Sequence, residues 1–349
     1  MATNVKAPDG RTPYRIGFLL VPDFSMIAFA SAVEALRLAN FALDRPAYDW
    51  TTLGTKEGSV LASNTLEVNA EGTLKDAGPL EAIFVCGGVN IEDYENKVML
   101  AGLRRRAAHG VTLGALCTGS YILARAGLLD GYRSTIHWEN IPAFVEAFPD
   151  LDVVSDLFVV DRNRYTCAGG TSALDLMLDL ISHQYGKEIA AVVSDKLIHH
   201  RIRDSNEAQR MDLRSRSGIS HPKLLAIVTA MENNIEQPMT CAELAFSVGL
   251  STRQLERLFR SYVGATPTRY YLRMRLERAR FLLRHTSLSI FDVALATGFI
   301  SASHFSKCFR EQFNSPPSAD RRRGNMPVAT LMYERDADTA GLTQTRAPL

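Results

Sequence analysis

The segment GALCTGS, at residues 114–120, holds the side chains of the amino-terminal half that are best suited to chemistry. An apolar run predicts a buried strand at 111–116, and a helix is predicted to begin at Ser120. A strand, a turn of small residues with a nucleophile at its tip, and then a helix form the arrangement of a nucleophile elbow. Cys117 would then lie at a helix amino terminus, where the thiolate is favoured. His137, in the sequence STIHWEN, is a candidate for its general base.

The same two residues have a plainer interpretation. A cysteine buried between a strand and a helix, beside a structural histidine, would produce the same pattern. We favour this interpretation for catalysis, so no residue is predicted to be catalytic. Cys117 is kept as a vestigial candidate, and we expect it to mark a pocket.

The predicted elements around this segment alternate between strands and helices. Strands are expected at 15–21, 48–53, 67–69 and 82–86, a hairpin at 158–167, and helices at 29–40, 98–109, 120–126 and 171–185. This alternation predicts an α/β fold: a flavodoxin-like parallel sheet that is covered by helices on both faces. Ligands bind such sheets at the carboxyl ends of the strands, where the Gly87-Gly88 pair and Cys117 are both expected.

The carboxy-terminal region contains one pattern twice, at 240–264 and 289–314. Each copy has a short amphipathic helix, a turn at Gly249 or Gly298, and a second helix with basic residues. That is the organisation of a helix-turn-helix, so an all-α domain with two such units is predicted. Ser251 is expected to begin the second helix of the first copy as part of a capping box.

A long amphipathic helix at 267–284 separates the copies, and arginines occupy the part of it outside the apolar face. It would hold two recognition helices roughly 34 Å apart, the distance between successive major grooves on one face of DNA. The alternative is a helical bundle with solvated arginines, but a duplicated pattern with matching turns favours DNA binding. The predicted DNA-binding residues are Arg253, Glu256, Arg257, Arg260, Ala302, Ser303, Ser306, Lys307 and Arg310.

The distribution of charge also favours a separate DNA-binding module. The 349-residue chain has a net charge of +1, but residues 221–324 hold 15 Lys and Arg against 8 Asp and Glu, a net charge of +7. The remainder therefore carries −6, and a basic module on an acidic body is typical of phosphate binding. Without a long apolar run or a leader, we expect a cytoplasmic protein that does not bind membranes. Five cysteines in no metal-type spacing agree with a reducing compartment, and no metal or cofactor is predicted.

Residues 222–323 resemble the DNA-binding domain of the AraC/XylS family of bacterial transcription regulators. The repeated pattern, the long helix and the ending GF…HFSKCFREQFNSPP at 298–317 carry the resemblance. It implies that the second helix of each copy reads bases. Arg257 would bind guanine through two hydrogen bonds, Ala302 would contact a thymine methyl group, and Lys307 would bind phosphate.

The amino-terminal part, 15–186, resembles the PfpI-like branch of the class I glutamine amidotransferase-like superfamily. The matching pieces are Gly87-Gly88, GALCTGS, AGLLDG at 126–131, His137-Trp138 and CAGGTSALDLML from Cys167. Enzymes of this branch have a histidine directly after the cysteine and a glutamate near the first strand, where this chain has Thr118 and Ala28. Activation of the thiol is therefore not expected. The former active site would instead be an effector pocket lined by Gly87, Gly88, Cys117, Thr118, His137 and Trp138.

The combination of these two regions in one chain resembles the GlxA-type subgroup of AraC-family regulators. Relatives with this architecture respond to small zwitterions such as arginine, carnitine or glycine betaine, and this sequence is most similar to the betaine and carnitine type. Backbone amides after Cys117 would hold a carboxylate. Aromatic side chains would hold a quaternary ammonium, and the candidates are Phe24, Tyr121, Trp138 and Phe158.

The sequence thus predicts a two-domain, ligand-responsive transcriptional activator of small-metabolite catabolism that is not an enzyme. Its expected partners are double-stranded promoter DNA, RNA polymerase, a small zwitterionic metabolite and a second copy of the chain. The predicted order is a disordered amino terminus, an effector domain, a linker, the DNA-binding domain and a flexible tail, at 1–13, 14–203, 204–220, 221–323 and 324–349. Two other classes stay open: a cysteine hydrolase or amidotransferase that also binds DNA, and a constitutive DNA-binding protein whose first domain only dimerises.

Overall fold

The computed structural model describes residues 12–92, 94–210, 219, 221–286 and 288–324. The chain divides into two compact units, Met1–Gln209 and Arg210–Leu349. Most of the predicted disordered amino terminus, nearly all of the predicted tail, and residues 211–218 and 220 of the predicted linker lie outside the described residues.

The first unit is built on a seven-stranded sheet with the order β10-β11-β7-β6-β1-β2-β5. Adjacent strands are parallel except for the hairpin of β10 and β11. Two small sheets, β3-β4 and β8-β9, complete the unit. The strands are β1 (Tyr14–Leu20), β2 (Tyr48–Gly54), β3 (Gly58–Leu61), β4 (Glu67–Ala70), β5 (Gly72–Thr73), β6 (Ala82–Cys86), β7 (Thr112–Leu116), β8 (Arg133–Thr135), β9 (Asp152–Val154), β10 (Phe158–Asp161) and β11 (Arg164–Cys167).

Helices cover both faces of this sheet. Phe18 of β1 lies in the core beneath α1, α5 and α6, whereas the next residue, Leu19, lies in the core beneath α2, α3 and α4. Successive side chains of a strand point to opposite faces, so the central strands must be apolar throughout. The helices are α1 (Met26–Ala42), α2 (Lys97–Ala108), α3 (Ser120–Arg125), α4 (Ile141–Ala147), α5 (Ser172–Tyr185) and α6 (Lys187–Lys196). The predicted fold class is confirmed, although α4, α6, β3, β5, β8 and β9 were not predicted.

The second unit is helical in its described part. Its long helix α10 contributes Tyr271 to one hydrophobic core and Leu276, Leu282 and Leu283 to another, so it joins two helix-turn-helix units. The helices are α7 (Pro222–Asn233), α8 (Cys241–Ser247), α9 (Thr252–Val263), α10 (Pro267–His285), α11 (Ile290–Ala296), α12 (Ala302–Phe313) and α13 (Pro317–Gly324).

The two predicted turns have the expected geometry. Gly249 and Gly298 have φ of +64° and +74°, in the left-handed region that favours glycine. A Cβ atom at Gly298 would also lie 2.6 Å from a ring carbon of Pro238, so no other residue fits there without a shift. Ser251 forms the predicted capping box at the start of α9.

Candidate functional site

The Cys117 turn, residues 117–119, connects β7 to α3 as a short 3₁₀ turn. Cys117 has φ of +60°, a conformation that non-glycine residues rarely adopt and that is found at functional turns. Gly169 packs directly on it, because a Cβ atom there would lie 2.6 Å from the Cβ of Cys117 and 2.9 Å from its sulfur. The sequence-predicted elbow is therefore present, and it is enclosed by the loop that follows β11.

The Gly87-Gly88 pair packs against the other side of this turn. The Thr118 hydroxyl donates a 2.6 Å hydrogen bond to the carbonyl of Gly88. A Cβ atom at Gly87 would lie 2.3 Å from the nitrogen of Gly119, and one at Gly88 would lie 1.8 Å from the carbonyl oxygen of Asp23. Four predicted pocket residues, Gly87, Gly88, Cys117 and Thr118, are thus brought together at the carboxyl ends of β6 and β7.

The other two predicted pocket residues, His137 and Trp138, follow β8 and are half-buried. Their ring centroids lie 5.7 Å apart, and Nδ1 of His137 is 3.8 Å from a carboxylate oxygen of Glu139. The loop is attached to the start of α3, since the Ser120 hydroxyl donates a 2.7 Å hydrogen bond to the carbonyl of Thr135. Among the described residues, no hydrogen bond joins the Cys117 thiol to His137.

The electrostatics of this turn oppose nucleophilic catalysis. Burial, followed by the neighbouring Cys167, raises the pKa of the Cys117 thiol from 9.0 to about 12, and the Thr118 backbone amide offsets this only partly. The expectation that the helix amino terminus would favour the thiolate was therefore wrong, because desolvation outweighs the helix dipole here. Burial also lowers the pKa of His137 and so favours its neutral form. Ala28, at the position where the enzymes carry glutamate, is buried.

Sequence reasoning missed the two cysteines beside Cys117. Cys86 and Cys167 are the last residues of β6 and β11, and both pair in register with Leu116, the residue before Cys117. Each is fully enclosed in the core. Their position at the ends of predicted strands was the available signal. In the part of the chain that the structure describes, no group of three or more His, Cys, Asp or Glu could hold a metal ion.

The aromatic candidates for an ammonium site do not form one cage. Phe24 and Phe158 belong to the core on one face of the sheet, and Tyr121 belongs to the core on the other. Trp138 alone of the four is half-buried. A groove of about 1030 Å³ lies elsewhere, beside α2, and its lining residues include none of the predicted pocket residues. The Cys117 turn itself is nearly closed, because Cys117 is only 9% exposed.

The predicted DNA-binding residues lie on the outer faces of α9 and α12. Their inner faces are held by Leu255 and Phe259 in α9 and by Phe305 and Phe309 in α12, all fully buried. Ala302 and Ser306 are half-buried, and the exposed members of the predicted set are Arg253, Glu256, Arg257, Arg260, Ser303, Lys307 and Arg310. These side chains are available to a large polyanionic partner.

Three arginines of α10, which lie outside its predicted apolar face, have internal partners in the structure. Arg275 donates hydrogen bonds of 2.7 and 2.6 Å to the carbonyls of Thr297 and Gly298. Arg280 and Arg284 both bind the carboxylate of Asp320, which is fully buried. The sequence did not reveal these pairs because the partners lie 22 to 40 residues away along the chain.

Each of the two units contains a match to a known protein family. The DJ-1/PfpI family matches residues 14–183, and the Helix-turn-helix domain family matches residues 244–323. In the described part of the chain, no helix is long and apolar enough to cross a membrane.

The chain is similar to transcriptional regulators over most of its length and to other proteins over about half of it. The chain is 45% identical over 332 residues to the HTH-type transcriptional regulator GbdR of Pseudomonas aeruginosa, an alignment that covers 94% of this chain and 90% of the relative. It is similar to the crystal structure of an AraC family transcriptional regulator from Pseudomonas putida, with a TM-score of 0.50 and 34% identity over 53% of this chain and 100% of that chain. It is also 31% identical over 186 residues to an isonitrile hydratase of Pseudomonas putida, covering 52% of this chain and 77% of the enzyme.

Proposed function

Because the chain belongs to the AraC-type transcriptional regulators that carry an amino-terminal DJ-1/PfpI domain, we propose that it is a ligand-responsive activator of small-metabolite catabolism. Its first domain binds a small zwitterion next to the Cys117 turn. Its α9 and α12 bind double-stranded promoter DNA, and the regulator acts on RNA polymerase as a homodimer.

The DNA-binding part of the proposal is supported by exposed charge on two duplicated helices. Arg253, Arg257 and Arg260 project from α9, and Lys307 and Arg310 project from α12, on faces opposite the buried stripes. Binding at two successive major grooves would combine base contacts from both helices with a salt-dependent contribution from phosphates.

The observation that carries the effector proposal is the protonated, enclosed thiol of Cys117. A pKa of about 12 leaves almost no thiolate at neutral pH, so the elbow is better suited to binding than to nucleophilic attack. His137, whose neutral form is favoured by burial, and half-buried Trp138 lie in the loop after β8, which Ser120 binds through its hydrogen bond to Thr135. The indole face suits a quaternary ammonium, and the backbone amides after Cys117 suit a carboxylate. Glycine betaine is therefore the first candidate, ahead of carnitine and arginine.

Thermal unfolding of the full chain with each zwitterion tests this assignment. A ligand present at 100 times its dissociation constant adds about 2.7 kcal/mol of stability, which raises the melting temperature by several degrees. We expect a rise with glycine betaine that is lost in Trp138→Ala and kept in Phe41→Ala, since Phe41 is an exposed aromatic residue on α1. If no zwitterion raises the melting temperature, the effector class is wrong.

The enzyme relative supplies the second candidate function, a cysteine-dependent hydratase or hydrolase that also binds DNA. The alignment spans 186 residues, about the length of the DJ-1/PfpI match at 14–183 that contains Cys117. Steady-state assays with isonitrile and amide substrates test it. Turnover that disappears in Cys117→Ser while DNA binding is unchanged would favour this function over the effector proposal.

A further inference from the structure

Residues 199–209 follow α6 and form a segment, the strap, that is hydrogen-bonded to the rest of the first unit. The backbone amide of Leu157 donates a 2.9 Å hydrogen bond to the carbonyl of Ser205, and Asp156 forms an antiparallel bridge with Ala208. Residues 204–209, predicted as the start of a linker, thus make specific contacts within the first unit. The chain continues from Gln209 towards the DNA-binding half.

The strap has a first attachment at Arg203. Asp175 of α5 is fully buried, and its carboxylate accepts hydrogen bonds from the backbone amide of Arg203 at 2.9 Å and from its guanidinium at 2.6 and 3.0 Å. The same guanidinium donates to the hydroxyl of Thr171 at 2.7 Å. Thr171 lies in the loop whose Gly169 packs on Cys117. Arg203 therefore holds one wall of the Cys117 turn.

A second attachment is made by Gln209. Its side-chain nitrogen lies 2.9 Å from the hydroxyl of Thr135, 3.0 Å from the carbonyl of Ile136 and 2.9 Å from the carbonyl of Asp156. Thr135 accepts the hydrogen bond of Ser120, the residue directly after the Cys117 turn. Ile136 precedes His137. Gln209 therefore holds the second wall.

The Gln209 amide is not fully satisfied. Its side-chain oxygen is buried and has no hydrogen-bond partner among the described residues. A buried acceptor without a partner weakens the net contribution of this attachment.

We propose that Arg203 and Gln209 are positioning residues that couple occupancy of the site beside Cys117 to the chain entering the DNA-binding half. The inference rests on the proposed effector site. Because the Cys117 turn is nearly closed, a ligand must displace the loops that carry Gly169 and His137, and the strap is bonded to both. Each loop movement therefore strains or relaxes one attachment. Coupling through such a contiguous network is reciprocal: effector and DNA change each other's affinity by the same factor.

An effector-free experiment tests the attachment itself. Cys117 in the full chain is alkylated with iodoacetamide, and its rate is followed by mass spectrometry of the peptide. Gln209→Ala should raise the rate several-fold, because the wall at 135–137 opens more often. Arg201→Ala is the matched control, since Arg201 is 67% exposed and pairs with Glu207 inside the strap. A rate for Gln209→Ala equal to that of Arg201→Ala overturns the proposal.

A second measurement tests transmission. Affinity for promoter DNA is measured with and without glycine betaine for wild type, Gln209→Ala and Arg203→Lys. In both variants the ratio of the two affinities should fall towards one, while glycine betaine still raises the melting temperature. A ratio equal to that of wild type overturns the proposal. If glycine betaine does not stabilise the wild type, the effector assignment has failed, and the alkylation rates alone decide the role of the strap.

Discussion

The Cys117 turn and helix α9 differ in how they present the side chains that we predict to be functional. Cys117 and Thr118 are 9% and 3% exposed, whereas Arg253 and Arg257 are exposed to solvent. DNA is too large to be enclosed, so the surface that binds it must be open beforehand. A small ligand can be enclosed, and the protein must then move around it. If the Cys117 turn binds the proposed effector, it is therefore the closed region whose movement would transmit binding to the rest of the chain.

The two regions also depend on different physical terms. The enclosed turn requires backbones to approach closely, and its glycines provide the space. On the open surface, the buried inner faces of α9 and α12 orient their charged side chains towards solvent. The arginines of α10 that bind Thr297, Gly298 and Asp320 stabilise the fold instead. Substitutions in each region should therefore fail in different ways.

The largest effect is expected from Gly88→Ala, which attacks the enclosure. A Cβ atom at this position would lie 1.8 Å from the Asp23 carbonyl oxygen, a backbone atom that cannot move alone. We expect a loss of about 3 kcal/mol or more in the free energy of unfolding, measured with urea. Gly78→Ala is the control, since its Cβ atom would meet nothing closer than 3.7 Å and should change stability by less than about 0.5 kcal/mol. Equal stabilities for the two variants would show that the turn is not tightly enclosed.

Next in size is Asp320→Ala, which distinguishes arginines that stabilise the fold from those predicted to bind DNA. Removing the buried carboxylate leaves Arg280 and Arg284 without their partner. Because both guanidinium groups are about one-third exposed, we expect a loss of only about 2 kcal/mol in the free energy of unfolding. Glu277→Ala removes an exposed pair with Arg273 and should change stability by less than about 0.5 kcal/mol. Similar losses of unfolding free energy in both variants would mean that the Asp320 pairs contribute no more than an exposed ion pair.

A more local effect is expected from Arg257→Ala on the open surface. Loss of a bidentate guanine contact should weaken binding of the specific site by about 1–3 kcal/mol and relax base preference at one position. Arg260→Ala, in the last turn of the same helix, should weaken all sequences alike if it contacts only phosphate. Binding titrations on a set of single-base variants distinguish the two. Equal weakening of specific and random DNA by Arg257→Ala would remove the base-reading role.

How far the sequence predicts these regions follows from the range of the interactions involved. The turns at Gly249 and Gly298 and the capping box of Ser251 are local, and they were predicted at the correct residues. The same holds for the strand before Cys117. The high pKa of Cys117 was not predicted, because it depends on burial by segments that are distant in the sequence. Likewise, the partners of Arg203 and Gln209 lie 28 to 74 residues away, and their side chains have no periodicity that reveals a contact.

The smallest effect on stability at neutral pH is expected from the Cys117 thiol. Its pH dependence tests directly whether the Cys117 turn is enclosed. Burial raises the thiol pKa from 9.0 to about 12, so the folded protein holds this proton more tightly than the unfolded chain. The neutral thiol's contribution is therefore fully present below about pH 8.5 and is lost as the pH rises towards 12. Between pH 8 and 10, wild type should lose roughly 1.4 kcal/mol of unfolding free energy relative to Cys117→Ser, which has no titrating group there. Urea unfolding of both proteins at matched pH values measures this difference. A difference that stays constant from pH 7 to 10 would mean that the folded thiol titrates normally, which would return weight to a nucleophilic role for Cys117.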